Sequence, residues 1–497
     1  MLVSGPVAQE KLGIWLISII GTSIKKLRDD ADDAAMSPDG SQIAFADVDR
    51  TSIWVMAADG SQARPVIKVE PDSQFFGPTW FANGKRLFYV KERNTKGKAE
   101  VSLESRNLQG SDPAVLLADE NLTDFSLDQT GRLVYARAEP PPNQYDSNLW
   151  DLRYDLKNGR PRGSPHQLTQ WTGFTFESLS MTADGKHFVF LNDRTQSAAY
   201  VGELASAGDE LKAPQRLTLN ENLNWPGGWS SDGKTLLFYS NREGSFNIYQ
   251  QGIADRTAQP VATGPQDKWA PQVSPDGKWV IYLQWAGAAD GTLSSGKLMR
   301  SAVAGGAPES VMDVEGHPNV NGYPGATTGG FPSFRCPHTG TDCVLAEKHE
   351  EQIVFSLFDP VKGRKAELVK VPFHRVHTGW DLSPDGTRVA IIEFNYQKGE
   401  VSLVPLNGSA SQKISAMPWT ELITVAWAAD GKSLFLASFS SRGTAIVHLD
   451  FAGHAKLLFK PNWHILTLEP SPGGNSLAFG PLISNSNAWT MGSFPVK

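Results

Sequence analysis

Short runs in which apolar and polar residues alternate recur along the whole chain, and nearly the same turn precedes each of them. An apolar residue, a small or polar residue and then Pro-Asp-Gly or a close variant lead into MSPDGSQIAFA from Met36, WFANGKRLFYV from Trp80, LDQTGRLVYA from Leu127 and MTADGKHFVFL from Met181. WSSDGKTLLFY from Trp229, VSPDGKWVIYL from Val273, LSPDGTRVAII from Leu382, WAADGKSLFLA from Trp427 and PSPGGNSLAFG from Pro470 continue the series. A degenerate tenth copy, RCPHTGTDCVLAE, starts at Arg335. Alternation of period two predicts a strand with two faces. In the turn, Pro presets φ, Asp or Asn bonds its own backbone, and Gly takes the positive φ that reverses the chain.

The turn glycines, from Gly40 and Gly84 to Gly431 and Gly474, are about 43 to 63 residues apart, a spacing typical of propeller blades. A third strand follows in each repeat, as in SIWVMAADG at 52–60, NLWDLRYD at 148–155 and NIYQQG at 247–252. A fourth carries an RLT-type ending, as in QRLTLN at 215–220. One such repeat cannot bury both faces of its sheet, whereas stacking around an axis buries both. The expected fold is therefore all-β, a β-propeller of about ten four-stranded blades.

Composition narrows the chemistry. With 40% apolar and 10% aromatic residues in 497, a large core is available. A formal charge of −7 argues against nucleic acid as a partner. The apolar run from Leu12 to Ile20 is too short to span a bilayer and lacks a following small-residue cleavage site, so it is expected to be a strand. No export signal is expected within the chain; a periplasmic location would require an upstream segment, and the alternative is the cytoplasm. Cys336 and Cys343 are the two cysteines, enough for one local bridge across the CPHTG turn but not for a four-thiolate zinc site. The bridge and two reduced thiols both remain open. His374 and His377 have no accompanying carboxylate, and the stretch Asp29, Asp30, Asp32, Asp33 lacks the spacing of a calcium loop, so no metal or other cofactor is expected.

The repeat pattern resembles the TolB-like, WD-repeat-like propeller family across nearly the whole chain. More narrowly, the segment from Gly13 to Gly40, AEPPPNQYDSNLWDLRYD at 138–155 and FDPVKGRKAELVK at 358–370 resemble sensor propellers of bacterial signalling proteins. That resemblance implies binding or sensing, with an upstream serine/threonine kinase or winged-helix domain in relatives and none in this chain. Ten repeats exceed the four to eight blades usual in one ring. The expectation is two units: residues 1–220 with about four blades, and 221–497 with six. The rival is a single ten-bladed ring in which Ile24–Leu27 completes the last repeat.

Loops at the rim opposite the Pro-Asp-Gly turns are aromatic, with Trp171, Trp225, Trp269, Trp419 and Trp463, and Phe75 in an earlier repeat. Around a channel mouth they would offer stacking surfaces to a protein or small-molecule ligand; the alternative is that they fill gaps between blades. Arg194 and Arg242 could hold a carboxylate or bond neighbouring loops. No Gly-x-Ser-x-Gly elbow, kinase signature or P-loop occurs. The expectation is a non-enzymatic binding or sensing module. The alternatives are the propeller portion of a kinase, regulator or prolyl-oligopeptidase-like enzyme, or an enzyme working at the channel mouth, which a carboxylate pair or a histidine cluster facing one pocket would favour.

Overall fold

The computed structural model describes the chain except residues 1, 7–11, 19–22, 69, 71–72, 96–97, 141–142, 144–145, 183, 206–207, 286–295, 316–318, 321–322, 325–329, 374–377, 394–397, 441–442 and 493–497. Every element among the described residues is a strand, nearly all in antiparallel sheets of four. The chain is thus an all-β protein of β-propeller type. Leu2–Pro6, Leu12–Ile17 and Ile24–Asp29 form a three-stranded sheet A. Sheets B, C and D begin with Ala31–Met36, Ser73–Trp80 and Leu122–Leu127, and each adds three further strands in chain order. Sheets F, G, H, I and J do the same from Asn224–Trp229, Asp267–Val273, Ser333–Arg335, Thr378–Leu382 and Leu422–Trp427.

Two sheets break that order by sharing one strand. Ser476–Gly492 pairs along its first half with His464–Pro470 and Tyr200–Glu203, and Gln215–Arg216 adds outside the latter; this is sheet K. Along its second half it pairs with His187–Gln196, from Ile483 opposite Gln196 to Gly492 opposite His187, and becomes the third strand of sheet E, which starts at Thr175–Met181. The repeat at Met181 therefore gives two strands to its own sheet, and QRLTLN serves sheet K. Ile24–Asp29 does not complete the last repeat: it pairs with Leu12–Ile17, and Gln215–Arg216 is the outermost, fourth strand of sheet K.

The turns form as their residues dictate. In four copies a Ser hydroxyl donates to the turn Asp and accepts the N–H that starts the next strand: Ser37 to Asp39, Ser230 to Asp232, Ser274 to Asp276 and Ser383 to Asp385, at 2.6–2.7 Å. Gly277 and Gly386 follow at φ +72 and +71, where a side chain would be strained. Tryptophans of the repeat join neighbouring sheets. Trp80 Nε1 donates to the carbonyl of Ala35, Trp229 Nε1 to that of Glu469 and Trp427 Nε1 to that of Asp381.

First strands of neighbouring sheets pack in a closed succession: F on G, G on H, I on J, J on K, and K back on F. H and I are joined by Trp380 Nε1 donating to Ser333 Oγ and by an Arg335–Asp381 ion pair. The largest apolar cluster lies between F, G and H, around Trp225, Trp269, Trp285 and Phe334.

Candidate functional site

The C-terminal ends of the six first strands in F through K converge on one pocket of about 140 Å³. Its wall takes Trp229 from F, Gln272 from G, Arg335 from H, Asp381 from I, Trp427 from J and Glu469 from K. The turns just beyond supply Pro275, Pro337 and Pro384, with Pro470 and Pro472 beside Glu469. Cys336, joined to Cys343 by a disulfide across the degenerate turn, is part of the same wall. His338 lies in that turn at the mouth.

The floor is ionic. Arg335 Nε donates to Asp381 Oδ1 at 2.9 Å, and its Nη2 reaches Glu469 Oε1 at 3.4 Å, from the sheet three places away in the succession. The Trp427 backbone N–H donates to the other Asp381 oxygen at 2.7 Å. Burial alone would weaken the Arg335 charge, but the two carboxylates outweigh it and hold the guanidinium charged. Burial raises Asp381 above the usual carboxylate range against the pull of Arg335. Burial pushes Glu469 up to about 8, opposed by Arg335 and reinforced by Asp381. Tyr239, wholly enclosed beside them, is raised well above its ordinary value, first by burial and then by Glu469. Burial thus favours the protonated form of Glu469, beside a guanidinium paired with Asp381.

The residues singled out from sequence lie elsewhere. Trp225 and Trp269 sit at the opposite ends of their strands and are 1% and 2% exposed, inside the apolar cluster. Phe75 is also wholly buried. Trp419 and Trp463 are half-buried against the interiors of I and J and of J and K, and Trp171 packs 5.8 Å from Trp489. Apart from Trp225 and Trp269, which share one cluster, these rings are dispersed among separate cores. Arg194 and Arg242 do come together, lining a groove of about 530 Å³ between sheets D, E and F. Arg194 pairs with Glu221; Arg242 donates to Asn224 Oδ1 and lies 4.3 Å over the Tyr249 ring. Asp32 and Asp33 pair with Arg50, and Asp29 with Lys26. His374 and His377 lie outside the described residues. Among the described residues, no cluster of three or more metal-ligating side chains occurs, and no helix is long and apolar enough to cross a membrane.

Sequence reading missed Arg335, Asp381 and Glu469, although one signal was present. Arg335 opens its repeat with a cation where the other nine copies have an apolar residue. The two acids carry no comparable mark, because their meeting depends on closure of the sheet succession.

No family model matches the chain. A curated relative, an uncharacterized protein of Agrobacterium fabrum, is 25% identical over 128 residues, which make up 25% of this chain and 40% of the relative. Similar solved structures include a putative TolB from Agrobacterium tumefaciens (12% identity, 60% of this chain and 87% of that one, TM-score 0.26). Others are an oligogalacturonate lyase from Vibrio parahaemolyticus (9%, 55% and 80%, 0.30) and the β-propeller domain of the trilobed protease from Pyrococcus furiosus (15%, 63% and 93%, 0.27). At these scores no role passes from them to this chain.

Proposed function

We propose that this chain is a binding or sensing β-propeller that receives a polar group of a ligand in the pocket at the Pro-Asp-Gly rim, without catalysis. The observation that carries the reading is the floor itself: six sheets contribute to one pocket, and a single guanidinium holds both acids at its base. Such a floor fixes a complementary charge pattern in place. In the same reading, sheets F through K form one six-bladed ring closed by the strands at 200–216. Sheets A through E belong to a second array, so the division near residue 220 is crossed by those two strands. The disulfide in the pocket wall fits an oxidising compartment.

One observation favours a catalytic reading: two carboxyls share the pocket, and burial pushes Glu469 up to about 8, into the range of a general acid. A thermal-shift screen of small charged and neutral molecules, followed by mass spectrometry of each hit after long incubation, separates the two. The binding reading expects hits recovered unchanged. Conversion of a hit by the wild type that is lost in Glu469→Gln would replace it with the catalytic one.

A further inference from the structure

The groove of about 530 Å³ between sheets D, E and F shares no wall residue with that pocket, and it holds charges of both signs that lack a counter-ion. Arg242 stands at its F wall. Its Nη2 donates to Asn224 Oδ1 at 3.0 Å and its Nε to Ser240 Oγ at 3.3 Å, and the guanidinium lies 4.3 Å over the Tyr249 ring. Asn224 is wholly buried, and its amide nitrogen donates to the carbonyls of Ser197 and Asn222 at 3.0 and 2.7 Å, which aims its oxygen at Arg242. Neutral partners thus fix this half-buried guanidinium, leaving Nη1 uncommitted, and among the described residues no carboxylate pairs with it. Burial weakens its charge, opposed by Tyr249 and by Glu243.

At the D and E walls the sign reverses. Asp146, in the loop that enters the third strand of D, is half-buried and accepts a hydrogen bond from the Gly173 N–H at 2.9 Å; burial raises it above the usual carboxylate range. Glu177 of sheet E is raised too, first by burial and then by Asp193 and Asp124. Among the described residues no cation pairs with Asp146 or Glu177. The other charges of the groove are engaged: Arg194 pairs with Glu221, and Asp193 accepts from the Thr195 and Ser486 hydroxyls. The lining also includes Asn143, Thr172 and Asn222, whose side chains bond no other described residue.

We propose that this groove binds a short peptide with both ends free, its carboxylate on Arg242 and its ammonium against Asp146 and Glu177. A half-buried charge without a counter-ion is costly, and here two of opposite sign stand on different sheets of one groove without pairing with each other. A ligand that carries both charges satisfies both ends. A simple anion would suit Arg242 but face Asp146, Glu177 and Asp193, and a simple cation would suit the acids but face Arg242. The carboxylate matches the planar fork of a guanidinium already held in place. Asparagine amides and a threonine hydroxyl both donate and accept, as the N–H and C=O groups of a peptide do. The volume lies within the range of small-ligand sites. Because the groove is separate from the pocket at the Pro-Asp-Gly rim, this site stands or falls independently of the reading above.

The test is calorimetric titration of the full chain at neutral pH with diglycine through pentaglycine, and with N-acetylated and C-amidated forms of the tightest of them. Acetate, n-butylamine and ε-aminocaproate serve as controls. Affinity is expected to peak at one length, since the two charged ends are fixed on different sheets. Acetylation and amidation should each weaken binding about tenfold or more. In Arg242→Gln, amidation should cost nothing further; in the double variant Asp146→Asn, Glu177→Gln, the same should hold for acetylation. These comparisons are made between ligands within one folded variant, so a general loss of stability does not imitate them. Capped peptides that bind the wild type as tightly as the free one, a measurement that needs no variant, would overturn the proposal. So would acetate or n-butylamine matching the peptides, or failure of every peptide to bind below about 10 mM. ε-Aminocaproate has both charged ends and no peptide group, and binding as tight as that of the best peptide would overturn the peptide assignment.

Discussion

Trp225 shows how a residue's neighbours decide its role. Its ring is 1% exposed and lies against Gly480, where an added Cβ would come within 2.9 Å of it. Trp225→Ala should therefore cost about 3–5 kcal/mol, read as a lower urea midpoint, with cavity formation adding to lost burial. An unchanged midpoint would return the ring to the surface role that its loop position suggested. Glu469 supplies a pH-dependent test. Its folded value of about 8 lies above an ordinary 4.5, so between those limits the folded chain holds a proton that the unfolded chain has released. The contribution of this group to stability is complete below pH 4.5 and falls as pH rises to 8, by up to about 1.4 kcal/mol per unit. Urea midpoints at pH 5, 6.5 and 8 should fall less steeply in Glu469→Gln than in the wild type. At this scale the sequence was legible where chemistry is local, as in the Ser–Asp–Gly turns. It was opaque at Trp225 and Glu469, whose surroundings include residues more than 200 positions away.

Among elements, the repeat predicted first and second strands well, because turn and alternation lie within one stretch of chain. It could not reveal that third and fourth strands are exchanged between repeats, since a strand's partner is set by closure and not by its own pattern. The strand Ser476–Gly492 exposes the difference: two repeats meet on it, end to end. Truncation after Leu482 should leave sheet K intact and strip sheet E of its third strand. Backbone amides of His187–Gln196 should then exchange with solvent much faster, while those of Tyr200–Glu203 stay protected. Equal loss in both would mean that the two halves of the long strand fold as one. The Cys336–Cys343 bridge closes a short loop in the pocket wall, and its reduction should cost roughly 2–3 kcal/mol, visible as a lower melting temperature in reductant.

For the whole molecule, edges matter more than net charge. From Asn487 to Gly492 the long strand pairs with one described neighbour, carries no charged residue and presents Trp489 at 45% exposure. Edges of that kind template further strands unless a charge or a proline blocks them. Sedimentation should show concentration-dependent association that Thr490→Lys reduces; a strict monomer at high concentration would argue that this edge is protected. Exchange of strands also sets a timetable. Tyr200–Glu203 and Gln215–Arg216 leave the ribosome about 260 residues before Ser476, the residue that begins their partner strand. At roughly 5–20 residues per second they wait on the order of 13 to 50 seconds for it. During synthesis those strands are ready but unmatched, so any chaperone or competing strand has that interval in which to act. Assembly of the pocket floor, which needs Glu469 beside Arg335, must wait until sheet K has been made.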